Sequence, residues 1–172
     1  MMIWSSRGEF AEDLLVGAVG GYVGTKVMEP VSSKLYQRES QRDRQREDAA
    51  RPGPPFQVAA DKTLDLLGIH LPDPVRERAG MVVHYGLGIS WAPVYAVLRR
   101  AVGLNPAVAG LLTGASMSLI VDEMLTPLLG FSAADRAYPV STHVRGFLAH
   151  LAYGAVTAAV IEGWWALRRR RP

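Results

Sequence analysis

Eight ionisable residues lie within or beside otherwise apolar stretches of this 172-residue chain: Lys26, Glu29, His84, Asp122, Glu123, His143, Arg145 and His150. Histidine changes charge near neutral pH, and histidine–carboxylate chains inside membranes mark proton relays. A charged side chain at the centre of a bilayer costs roughly 2.5–3.5 kcal/mol on insertion scales, so such groups are expected to face one another and not lipid. His143 and His150 are seven residues apart and share one face of a helix. Lys26 and Glu29, three apart, can pair. Three chemistries suit the set. It can form ion pairs that fix helix register, or a proton-titratable polar cavity. It can also form a metal or haem centre with His84 and His150 as ligands and Asp122 or Glu123 completing the shell. The spacing matches no recognised ligand motif, and neither a metal nor a cofactor is expected. Glu162 stands apart and is expected to pair with an arginine of the C-terminal tail.

The chain offers no enzyme chemistry of a known type. No glycine-rich phosphate loop follows a strand, no serine sits in a nucleophile elbow, HExxH is absent and there is no cysteine. The net charge is +3, with much of the excess at Arg99-Arg100 and Arg168-Arg169-Arg170-Arg171, against the ends of apolar segments. That placement suits phospholipid head groups and gives no broad basic face for nucleic acid.

The elements that must hold these residues are membrane helices. Ala101 to Val121 carries no charged side chain over 21 residues, and as a helix it reaches about 30 Å, the thickness of a bilayer's hydrocarbon core. The mean hydropathy of +0.08 is low because a polar, proline-rich insert at about 32–74 is averaged with apolar segments. Four helices are predicted, at about 10–31, 75–100, 105–129 and 140–167. In the first, Gly17/Gly21 and Gly20/Gly24 form overlapping small-xxx-small patterns that let backbones approach closely in lipid; Gly110, Gly114 and Gly154 are further packing positions. Residues 34–48, KLYQRESQRDRQRED, are predicted as a solvated extension of the first helix, ended by Arg51-Pro52-Gly53-Pro54-Pro55. An amphipathic helix follows at about 56–69, at the interface or capping the bundle. Pro93 should loosen the second helix, and Trp164-Trp165 belong in an interfacial aromatic belt.

Basic residues in short loops set orientation, so Arg99-Arg100 and the arginine tail are expected on the cytoplasmic side with both termini. The start, MMIWSSRGEF, has acidic residues where a secretory signal would be basic, and it is expected to stay uncleaved. All eight ionisable residues of the opening set then fall in the outer leaflet.

The blocks GAVGGYVGTKVMEP, VVHYGLGISWAPVYAVL, GLLTGASMSLIVDEMLTPLLGF and RGFLAHLAYG…VIEGWWALRRRR resemble the YagU-type bacterial inner-membrane proteins, a family linked to acid resistance. The matching positions are Lys26, Glu29, His84, Pro127, Gly130, His150 and Glu162. The chain departs from the pattern at Asp122-Glu123, where a histidine-bearing stretch is expected, and in its polar insert. The resemblance implies an integral, multi-pass bacterial inner-membrane protein and gives no mechanism, though it favours a pH-related role.

The expectation is therefore a single all-α membrane domain over 1–172: an antiparallel bundle of four transmembrane helices with an amphipathic helix in the first loop. It is not an enzyme. It would serve acid or envelope-stress tolerance through a titratable outer-leaflet cavity acting as a proton or ion pathway. The alternatives are a structural or assembly subunit and a metal- or haem-binding membrane protein. The expected partners are the lipid bilayer and, through the glycine faces, a second copy or another membrane protein; nucleic acid is not among them.

Overall fold

The computed structural model describes residues 7–170. Arg171 and the first six residues, on which part of the tail and N-terminal expectations fall, lie outside them. All regular elements among the described residues are helical: α1 (Arg7–Arg38), α2 (Gln41–Ala50), α3 (Pro55–Leu66), α4 (Asp73–Trp91), α5 (Pro93–Arg100), α6 (Pro106–Met117), a π-helical stretch at Ser118–Leu125, α7 (Thr126–Leu128), a 3-10 turn at Asp135–Ala137 and α8 (Val140–Arg169).

Local chemistry explains most boundaries. α1 runs on through Pro30 instead of ending near residue 31. It breaks at Ser40, whose hydroxyl accepts from the Asp43 amide at 3.1 Å and starts α2. The predicted extension is therefore two helices with a corner between them. Gly68 and Gly103 take the left-handed backbone (φ +67° and +77°) that turns the chain after α3 and α5. Pro93 cannot donate to a carbonyl one turn back, and the second predicted helix divides into α4 and α5 at Ala92. Asn105 caps α6, accepting from the Val108 amide at 3.0 Å, with Pro106 in the first turn. The third predicted helix widens to π geometry from Ser118. Pro127 lacks an amide proton and its ring crowds the carbonyl four residues back, while the Thr126 hydroxyl donates to Val121 O at 2.7 Å.

Three stretches are long and apolar enough to cross a membrane: Asp73–Arg100, Pro106–Leu128 and Val140–Arg169. Their outward faces remain apolar, with Val82 72% exposed and Leu111, Leu112, Leu119, Val144 and Leu148 also exposed. α1 is not among the three. Charges at Asp13 and Lys26 leave only twelve residues between them, four of which are glycine.

Helix contacts depend on glycine. A Cβ on Gly21 would lie 2.5 Å from Gly88 O and 2.9 Å from Ile89 Cα, on α4. On Gly24 it would lie 2.6 Å from Thr157 Oγ1 and 2.9 Å from Tyr153 O, on α8; Gly20 also faces Thr157 and Ile161. The two overlapping glycine patterns of α1 thus serve two different neighbours. Gly110 and Gly154 face each other where α6 crosses α8, and Gly114 abuts the His150 carbonyl. Around these crossings lie Val16, Tyr95, Ala109, Ala158 and Ile161, and on the other side Met117, Val121 and Tyr153.

Gly154→Ala sets a methyl group against the Gly110 backbone and is expected to cost about 1–3 kcal/mol. Gly17→Ala meets nothing nearer than Ala92 Cβ at 3.9 Å and is expected to be neutral or to stabilise by up to about 1 kcal/mol. Thermal unfolding of the two variants in mild detergent checks the contrast: Gly154→Ala should lower the midpoint and Gly17→Ala should not.

Candidate functional site

Three helices and the π-helical stretch bring seven of the eight predicted residues to one cavity of about 910 Å³: Glu29, His84, Asp122, Glu123, His143, Arg145 and His150. That volume lies within the range of small-molecule sites. Lys26 does not line it; its ammonium is 3.5 Å from Glu29 and 4.8 Å from the centre of the Tyr85 ring.

Each of the three histidines meets a carboxylate from another element. His84 Nε2 on α4 is 3.3 Å from Glu29 on α1, and the Tyr85 hydroxyl donates to the same carboxylate at 2.6 Å. His150 Nδ1 on α8 is 3.3 Å from Asp122 Oδ2 and 2.9 Å from Gly146 O. His143 Nδ1 is 2.6 Å from Glu123, and its Nε2 is 3.2 Å from Asp135 O. The two acidic partners on the π-helical stretch are consecutive, and both reach α8. Across the cavity, Phe56 of α3 lies 4.7 Å from the His84 ring.

Arg145 departs from the expected arrangement. Its partners are not intramembrane groups but Glu39 and Glu47 of the polar insert, both at 2.7 Å. Glu47 is completely buried and also takes Arg51 and the Thr142 hydroxyl at 2.8 Å. Arg46 donates to the carbonyls of Arg136 and Ala137 at 2.8 and 3.0 Å. The Tyr36 hydroxyl donates to Asp48 at 3.1 Å. Partial burial and that carboxylate hold its pKa above the ordinary tyrosine value, so it remains a donor. Residues 34–48 are thus docked onto α8 through Glu39 and Glu47, while Lys34, Gln37, Arg38, Gln41, Arg42, Gln45 and Arg46 stay exposed to solvent. Sequence reasoning missed Tyr36, Glu39, Glu47 and Arg51 because a helix of alternating charges carries no sign of which charge is buried. Trp91, also missed, donates to Thr113 O at 3.1 Å and closes the inner wall.

At the opposite end a second set of charges is satisfied internally. Glu162 accepts from Arg99 at 2.6 Å and from Tyr95 at 2.9 Å, not from the tail as expected. Arg100 reaches Glu9 and Asp13 and lies 4.6 Å from the Trp165 ring centre, and Arg168 pairs with Glu12. Trp164 and Trp165 donate to Glu12 and Asp13 at 2.7 and 2.9 Å. Arg99, Arg100 and Arg168 are therefore not simply presented to head groups.

Among the described residues no three histidines or carboxylates gather as a metal site. His84 and His150 each take a different carboxylate instead of sharing Asp122 or Glu123. The arrangement can hold and exchange protons between histidine and carboxylate, and it can present paired carboxylates to an occupant of the cavity. No protein family, curated protein or solved structure matches the chain.

Glu47→Ala leaves the buried Arg145 short of an acceptor and is expected to cost about 3–5 kcal/mol. Limited trypsin digestion reads the consequence directly. Cleavage at Arg42, Arg44 and Arg46 should accelerate as α2 lifts from α8, while cleavage at Arg168 should not change.

Proposed function

We propose that the chain is a small multi-pass protein of a bacterial inner membrane, contributing to acid or envelope-stress tolerance through a titratable cavity that serves as a proton or ion pathway. In this reading α1 is the fourth span of an antiparallel bundle. It is supported by the order of its contacts: Glu12 with Trp164, Gly20 with Ile161, Gly24 with Tyr153 and Glu39 with Arg145. The acidic charges at its first end are neutralised by partners on α5 and α8, which lowers the cost of carrying them at the membrane surface. The short-loop arginines put both termini in the cytoplasm and the insert outside. The acid-stress setting comes from the YagU-type resemblance, which rests on the sequence blocks alone.

The observation that carries the reading is the set of three histidine–carboxylate pairs, each joining two elements, around one cavity. A structural scaffold needs ion pairs, but arginine or lysine would serve it at every pH. Histidine in all three places makes the pairing depend on a proton. The alternative of an assembly subunit would need a free helix-packing face, and Gly20, Gly21, Gly24, Gly110, Gly114 and Gly154 are already taken up within the chain.

Proton flux into liposomes containing the purified protein tests this. Flux above that of empty liposomes, reduced in His84→Gln and His150→Gln, is the expected result. Acid survival of cells carrying either variant at normal protein level should fall in parallel. Absence of flux under both a pH gradient and a membrane potential would remove the reading.

A further inference from the structure

We infer that the cavity binds a lipophilic organic cation: a quaternary ammonium or phosphonium, or a bulky protonated amine. The inference rests on the cavity and carboxylates of the proposed function but not on proton passage. The guanidinium groups of Arg51 and Arg145 face the cavity and both are engaged by Glu47, Arg145 by Glu39 as well. Lys26 stays outside, beside Glu29. Asp122 and Glu123 instead have histidine partners, whose positive charge lasts only while a proton is held. The walls thus carry acidic charge that no arginine or lysine offsets among the described ion pairs. An anion would meet it unfavourably.

The shape and surface of the cavity point the same way. Asp122 lies in the π-helical stretch, yet 42% of its side chain remains accessible, and the residue lines the cavity. Around it the walls are Met28, Met81, Leu87, Met117 and Leu125, with Trp91 on the inner side. Methionines adapt to irregular occupants, and an aromatic face attracts cations. A small inorganic cation would have to lose its water against these apolar walls, and among the described residues no group of three histidine or carboxylate side chains gathers to replace that water. A neutral apolar molecule would fill the volume but set apolar atoms against the accessible part of the Asp122 carboxylate, whose partner is His150 and no arginine or lysine. A cation with an apolar shell satisfies both the walls and the carboxylate.

Tetraphenylphosphonium and tetraphenylborate, nearly equal in size and opposite in charge, are the probes. Equilibrium dialysis of the full chain in mild detergent at pH 8, above histidine's ordinary pKa of about 6.5, measures binding of each after subtraction of protein-free micelles. Saturable binding of the cation, about tenfold or more tighter than the anion, is expected. Asp122→Asn with Glu123→Gln should abolish that preference and leave anion binding as it was. Equal affinity for the two ions, no saturable cation binding, or a preference that survives the double variant would each overturn the inference. The comparison of the two ions on the unaltered protein decides the matter even if the double variant does not fold. Cation preference without liposome proton flux upholds the inference and removes the proton reading, while flux without cation preference does the reverse.

Discussion

The backbone of α8 touches the backbones of two other helices, and the rest of the molecule depends on those contacts. Gly154 meets Gly110, Gly114 meets the His150 carbonyl, and Gly24 meets Tyr153 and Thr157. In a lipid environment apolar side chains gain nothing from leaving lipid for one another, so close backbone approach and the dispersion contacts it allows must hold helices together. The close approach also sets directions. With α1, α6 and α8 held at these crossings, the first half of α8 must lie beside the end of α1 and beside the π-helical stretch. His143, Arg145 and His150 consequently reach carboxylates on the π-helical stretch, on α2 and at Glu39 before it.

Those partners divide the molecule into two polar ends of different character. At one end Glu9, Glu12 and Asp13 meet Arg100 and Arg168, and Glu162 meets Arg99: carboxylates with permanent cations, insensitive to pH near neutrality. At the other, Glu29, Asp122 and Glu123 meet histidines. The only arginine among the eight predicted residues, Arg145, is withdrawn from that set by the insert. The buried Glu47 has two effects: it fixes α2 on α8, and by engaging Arg145 it leaves the cavity carboxylates to histidine partners.

Much of this was legible in the sequence. Helix positions came from uncharged runs, with Pro93 marking the weak point of the second helix, and the residues that meet in the cavity were identifiable by the cost of burying them. The pairing was less legible. Seven-residue spacing put His143 and His150 on one face, but their carboxylates are neighbours in sequence. Only a π-helical widening, which Thr126-Pro127 hints at without specifying, lets both Asp122 and Glu123 reach α8. The glycines of α1 showed where backbones come close but not that alternate pairs serve different helices. The role of the insert was hidden altogether, since in KLYQRESQRDRQRED nothing separates Glu47 from its exposed neighbours until tertiary contacts are known.

The inner limit of the cavity constrains any passage through the protein. Beyond His150 the next ionisable side chain on α8, other than the Tyr153 phenol, is Glu162, twelve residues and about 18 Å further along the helix. The hydroxyls in that interval are engaged: Tyr153 donates to Gly88 O at 2.5 Å, Thr157 to Gly20 O at 3.2 Å, Thr113 to Ala109 O at 2.8 Å and Thr25 to Gly21 O at 2.9 Å. A hydroxyl held by a backbone carbonyl cannot relay a proton without giving up that bond. Transfer to the other side requires the glycine crossings to slide or part, most directly at Gly21–Gly88, where Tyr153 joins α8 to α4. The contacts that assemble the cavity are thus also the contacts that must open for anything held in it to cross.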